Sequence, residues 1–329
     1  MRRSLAVLLF ASFAQLACQA QPTKVEYASG NRQGALPATT LDTPLRLRVY
    51  GQQPVQASMT SGGPGEEPSD SFTPSEAPMA GVKVSFVVTA GGGSLSESIV
   101  ETNENGYAAT NWTIGRSGPQ KVVATVFRDG MTPVNGSPFE FEATVIETGS
   151  FVDPRDQQTY ATVTVGTQRW FAQNLRFDQP GSVVNPNFPS PDYGRLYTWP
   201  LARLACPPGW HLPSDDEWTL LELSLGKPPN EAGFLNSDNT YGRAMKSTNG
   251  WADGGAGTNT TGFNALPTGT WLGSAELAPV GTETRFWTSY EEPKDPKFAW
   301  DRSVRSDSTN FSNYGTLKVT AVSVRCLQN

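Results

Sequence analysis

The 329-residue chain holds one histidine, His211, so a metal site built from several imidazoles is excluded. Ser/His/Asp and Cys/His relays need a histidine base, and His211 stands between Trp210 and Leu212-Pro213 with no visible nucleophile beside it. It reads as a structural residue. Charge is also scarce: Asp, Glu, Lys and Arg make up 17%, with a net charge of −6. That balance excludes nucleic acid as a partner, because such binding needs a clustered basic surface. Beyond residue 20 no run of eighteen apolar residues occurs, so no helical membrane span is expected there. What the chain has instead is turn chemistry. Gly (32) and Pro (26) account for about 18% of it, which suits a loop-rich β protein rather than a helical bundle.

The N-terminus is a processing signal in its texture. Met1-Arg2-Arg3 is positive, and Leu5 to Phe13 is an apolar stretch of about nine residues, too short to span a bilayer. Residues 1–20 are therefore expected to be a signal peptide. Gln15-Leu16-Ala17-Cys18 resembles a bacterial lipoprotein cleavage site, which implies lipidation of Cys18 and a membrane attachment through that lipid. The site departs from the family at Gln15, where Leu is usual. Ordinary cleavage after Ala20, with Cys18 removed, is the alternative. Cysteine parity agrees with both. Acylating or removing Cys18 leaves Cys206 and Cys326, an even pair expected to form a disulfide in an exported chain.

Two textures follow. Residues 21–35 are polar with scattered small side chains and read as a linker. From Leu45 onward apolar residues alternate at period two: Leu45, Leu47, Val49; Val82, Val84, Phe86, Val88; Ala108, Thr110, Trp112, Ile114; Val122, Ala124, Val126; Phe139, Phe141, Ala143, Val145. Ala90-Gly91-Gly92-Gly93 and Asn103-Glu104-Asn105-Gly106 separate them as turns. Short alternating strands at this spacing predict an antiparallel sandwich over 36–147. The Ser/Gly/Pro/Glu-rich stretch 56–78 reads as a mobile insert within it. The run Ala80 to Phe86, the run Thr89 to Leu95 and the segment Thr102 to Trp112 resemble bacterial immunoglobulin-like domains of the invasin/intimin type. That resemblance implies a spacer or adhesin repeat without catalytic residues.

Eight of the nine tryptophans lie beyond residue 150, among dense Asn and Gly, so aromatic anchors must hold long loops there. Ser214 to Leu223 reads as a helix, with Ser214 as N-cap, Glu217 three residues on and Gly226 beyond the end. Leu196 to Leu204 is a weaker helical candidate. Residues 149–329 are similar to the Fibrobacter succinogenes major paralogous domain. The motifs are Phe151-Val152-Asp153-Pro154-Arg155-Asp156, Trp170 to Leu175, Tyr193 to Trp199, Cys206 to Ser214, Gly262 to Pro267, Phe286-Trp287-Thr288-Ser289 and Val322-Ser323-Val324-Arg325-Cys326. The resemblance extends to C-type-lectin-like folds, including that of formylglycine-generating enzymes. It implies an α+β domain with loops held by a Cys206–Cys326 bridge. The fold class expected for the whole chain is thus multidomain: an all-β immunoglobulin-like sandwich followed by an α+β C-type-lectin-like domain.

Candidate sites follow from this frame. Glu291-Glu292-Pro293-Lys294 is similar to the Glu-Pro-Asn calcium motif of sugar-binding C-type lectins, but Lys294 stands where an amide oxygen is needed, and Trp300-Asp301-Arg302 departs from the second motif. Asp153/Asp156 and Asn236/Asp238/Asn239 read as turn formers. No metal and no cofactor is expected. The interval before the closing strand gathers Ser289, Tyr290, Trp300, Arg302, Asn310, Asn313 and Tyr314, residue types that binding surfaces favour. Some retroelement-diversified C-type-lectin-like proteins resemble this arrangement, with ligand contacts near the C-terminus. The expectation is a non-catalytic, surface-anchored binding protein whose seven residues contact a glycan or protein ligand, at the outer membrane or cell surface, or else periplasmic or secreted. The alternatives are a structural envelope component docking a partner subunit, and an enzyme of the formylglycine-generating type.

Overall fold

The computed structural model describes residues 20–52, 76–226, 241–273 and 275–329. Cys18, most of the expected insert and the cluster Asn236/Asp238/Asn239 lie outside the described residues. Period-two alternation does build a sandwich. In one sheet Leu45–Gln52 is central, pairing Pro22–Ser29 along its length and, at its two ends, Glu76–Pro78 and Tyr107–Thr110. The facing sheet runs Gln33–Ala35, Phe139–Val145, Gln120–Val126, Lys83–Ala90, Ile99–Glu101. Alternate residues of the two sheets meet in one core: Leu45, Leu47 and Val49 from the first, and Val84, Phe86, Val122, Ala124, Val126 and Phe141 from the second. The expected turns hold, with Gly91, Gly92 and Gly93 all in the left-handed region that suits glycine.

Two boundaries differ from expectation. The stretch 21–35 is not a linker, since Pro22–Ser29 and Gln33–Ala35 are strands of the two facing sheets. Val25 enters the sandwich core, and Gln33 uses its side-chain amide to bind Gly30 O and Thr43 O and to accept from Thr43 N–H. Polar composition concealed a strand whose backbone satisfies itself in a ladder. The insert likewise ends in a strand, Glu76–Pro78.

The second boundary is the joint between the halves. Only Ile146 separates Phe139–Val145 from the next strand, Glu147–Val152. Ile146 is fully buried in the second core while its N–H donates to Ala35 O of the sandwich. Leu36 packs on the same core and donates its N–H to Thr260 O, and Arg243 lies 3.6 Å from Asp42. The Gly226 Cα approaches so closely that a Cβ would stand 2.9 Å from Asn31 O. The change of texture at 148–150 therefore falls inside a strand, and the two halves share packed surface instead of a free linker.

The second half is dominated by strands. One sheet runs Glu147–Val152, Thr159–Val165, Gln168–Phe171, Leu327–Gln328, Trp210–His211. The other runs Ala275–Ala278, Thr270–Leu272, Thr320–Ser323, Glu283–Glu291, Phe298–Arg305, Phe311–Leu317, with Leu196–Tyr197 also on Thr320–Ser323. The expected helix is Asp215–Ser224, and its capping box is complete: Glu217 N–H donates to Ser214 Oγ, and Ser214 N–H to the Glu217 carboxylate. The weaker candidate shrinks to Trp199–Ala202 after a short strand. Cys206 and Cys326 are bonded across 120 residues, as expected.

Arg325, beside that bridge, is fully buried, and among the described residues it pairs with no carboxylate. It donates instead to Asn174 Oδ1 and to the carbonyls of Phe171, Phe263 and Asn264, and burial lowers its pKa to about 9. One side chain thus ties three motifs of the sequence together. His211 is also engaged structurally, with Asn329 Oδ1 at 2.7 Å from one ring nitrogen and Glu217 Oε1 at 2.9 Å from the other.

Candidate functional site

Strand register decides what the larger sheet presents on each face. Glu283, Arg285 and Trp287 stand opposite Arg305, Ser303 and Asp301, and Asp301 stands opposite Tyr314 on the next strand. Side chains one residue out of step, Phe286, Val304, Arg302, Phe311 and Asn313, point to the other face. That second face is core: Phe286, Val304 and Phe311 pack with Trp218 of the helix.

This register corrects the sequence expectation for two residues. Arg302 is fully buried, donating to Glu222 Oε1 at 2.7 Å, to Asp215 Oδ1 at 2.8 Å and to the Asn313 side-chain oxygen. Arg302 and Asn313 pin the helix to the sheet and touch no solvent-facing ligand. The other five are scattered. Ser289 and Tyr290 are exposed beside half-buried Trp300, whose indole N–H donates to Glu292 and whose ring meets Tyr290 edge-on at 5.5 Å. Glu292 also accepts from Lys294 N–H, so the motif similar to a calcium site is a hairpin turn. Asn310 sits in a loop near Lys246, and Tyr314 lies elsewhere, over Arg285. The seven do not form one surface.

The first face of the sheet opens at one end into a trough of about 590 Å3. Its floor carries Thr270, Glu283, Arg285, Thr316 and Thr320; Leu277, Ala278 and Pro279 line it on one side and Gly315 and Leu317 on the other, with Arg305 alongside. All six strands of the main order contribute, including both edge strands. The volume falls within the range of small-ligand sites. Arg285 is its centre. The guanidinium donates to Glu283 Oε1 at 2.9 Å and to Thr316 Oγ1 at 3.0 Å, and it lies over the Tyr314 ring at 5.2 Å. Burial opposes its charge, but Glu283 and Asp301 outweigh burial and hold its pKa above the ordinary value.

Asp301 lies 3.6 Å from Arg285 and is fully buried. Among the described residues neither carboxylate oxygen makes a hydrogen bond, and neither does the Oγ of buried Ser303 on the same strand face. Burial pushes the Asp301 pKa up to about 7, against the pull of Arg285. Sequence reasoning passed over Glu283, Arg285 and Asp301. For Glu283 and Arg285 the signal was present in Thr282-Glu283-Thr284-Arg285-Phe286, where both charges sit one residue out of step with the core residue Phe286. Among the described residues no three metal-ligating side chains converge.

Residues 163–328 match the model of the Fibrobacter succinogenes major domain. The chain belongs to that family. Its trough lies wholly within the Fibrobacter succinogenes major domain, as do the Cys206–Cys326 bridge and the Arg325 contacts. No curated protein matches the chain significantly. Three solved structures show partial likeness. The D0-D1 domain of intimin has 15% identity and a TM-score of 0.24, covering 47% of this chain and 71% of its own. A C-terminal fragment of intimin, solved with the intimin-binding domain of the translocated intimin receptor, has 14% identity and a TM-score of 0.27, covering 94% and 100%. The adhesin InvE of Yersinia pseudotuberculosis has 12% identity and a TM-score of 0.24, covering 93% and 70%.

Proposed function

We propose that this chain is a non-catalytic binding protein of the cell surface, in which the immunoglobulin-like sandwich carries a C-type-lectin-like module and the trough holds the ligand. The observation that carries this reading is the trough itself. Accessible side chains, Arg285, Arg305, Leu277 and Tyr314, stand on a sheet whose opposite face is core, so they are presented with little conformational cost on binding. Its ionisable groups are committed to one another: Arg285 is held between Glu283 and Asp301, and Arg305 pairs with Asp307. Charges paired in this way orient a ligand better than they move protons. Export through the N-terminal signal, with attachment through a lipid on Cys18, would place the module outside the cell.

The test is a screen of purified full-length chain against immobilised surface glycans and extracellular proteins. Saturable binding that is lost in Leu277→Ser and Arg305→Gln is the expected result. Both side chains are exposed, so folding is preserved. Binding indifferent to both substitutions would move the site elsewhere, and no binding at all would favour the structural alternative.

A further inference from the structure

We infer that the trough takes a neutral saccharide chain, a proposal that rests on the binding role above and names its ligand class. Charge is the first argument. Two guanidinium groups, Arg285 and Arg305, face three carboxylates, Glu283, Asp301 and Asp307, at 2.9–3.9 Å. The cluster carries at most one net negative charge, and neither a polyanion nor a polycation finds the strong one-signed field that would attract it.

Hydrogen-bonding capacity is the second argument. Glu283 and Thr316 fix the Arg285 guanidinium in one plane, and the Tyr314 ring covers it. The remaining N–H of that fixed guanidinium and the spare lone pairs of Glu283 and Thr316 can meet adjacent sugar hydroxyls, each of which donates and accepts. Thr282, half-exposed on the same rim, adds another hydroxyl.

Shape is the third. Leu277, Ala278 and Pro279 along one wall supply an apolar shelf for the C–H faces of a sugar ring. Tyr314, 42% exposed at the edge, joins an aromatic face to a polar tip. A strongly charged ligand would have to break the Arg285–Glu283 pair.

The experiment titrates full-length chain with neutral hexasaccharides of glucose, xylose, mannose and galactose, with polygalacturonate as the charged comparison. Intrinsic fluorescence and saturation-transfer NMR are the readouts. At least one neutral hexasaccharide should bind saturably, and Tyr314→Ala and Leu277→Ser should each weaken it about tenfold or more, the loss expected for an anchor residue. Tyr290→Ala, outside the trough, should leave it unchanged. Preference for polygalacturonate, or no saturable binding by any neutral hexasaccharide, overturns the ligand class. If the same trough substitutions still abolish attachment to immobilised extracellular proteins, the binding role survives and its ligand is a polypeptide. If Tyr290→Ala weakens hexasaccharide binding and the trough substitutions do not, the trough assignment itself falls.

Discussion

Replacing Asp301 by asparagine removes one titrating group from beneath the trough while keeping its volume. In the folded chain this carboxyl is fully buried, and burial raises its pKa from 3.8 to about 7 against the pull of Arg285 at 3.6 Å. The folded state therefore holds the proton more tightly than the unfolded chain does. The associated stability is complete below about pH 4 and is lost as pH climbs to about 7. A rise of about three pH units at ~1.4 kcal/mol each makes that loss about 4 kcal/mol. A side-chain amide at this position mimics the protonated acid at every pH. Asp301→Asn should therefore match the parent near pH 4 and exceed it by up to about 4 kcal/mol at pH 8. Urea unfolding followed by tryptophan fluorescence, at pH steps from 4.5 to 8, measures the difference. Subtracting parent from variant cancels the other titrating groups. Trp287, paired with Asp301 across the ladder, reports on the same sheet. A difference that stays flat with pH would show that Asp301 does not titrate in this range. A variant less stable than the parent at pH 8 would show that Arg285 stabilises the ionised form outright.

Three further outcomes are expected. Arg302→Leu removes the fully buried guanidinium that bonds Glu222, Asp215 and Asn313 and should cost about 3–5 kcal/mol in urea unfolding; trough binding by the variant should stay intact wherever it remains folded. Replacing Cys206 and Cys326 by alanine opens a 120-residue loop and should lower stability by about 4–5 kcal/mol in the same assay. Cys18→Ser should move the protein from the membrane fraction to the soluble exported fraction, and unchanged fractionation would refute lipid attachment at that residue.

Much of the fold was legible because its determinants are local. Alternation at Leu45, Leu47, Val49 and at Val122, Ala124, Val126 states which face of each strand is buried, and Ser214 with Glu217 states where the helix begins. The strands at 22–35 were illegible for the opposite reason. Their sequence has few apolar residues, and their stability comes from ladders to Leu45–Gln52 and Phe139–Val145 that no local pattern reveals. The joint at Ile146 was hidden too, since an apolar residue at a strand end carries no mark of which core it will enter.

The site was harder, and the reason lies in register. Residue type alone drew Arg302 and Asn313 into the same group as Tyr290 and Tyr314, because all four are types that interfaces favour. Whether such a residue faces ligand or core depends on which strands flank it and on which face the helix lies. Once Phe286, Val304 and Phe311 are committed to Trp218, parity sends Arg302 and Asn313 to the helix side. The same parity sends Arg285, Asp301 and Tyr314 to the trough side. An arginine on the core face must be neutralised by buried Glu222, whereas one on the trough face can share its carboxylates and still meet a ligand. The two arginines, Arg285 and Arg302, thus have opposite tasks set by one alternating ladder.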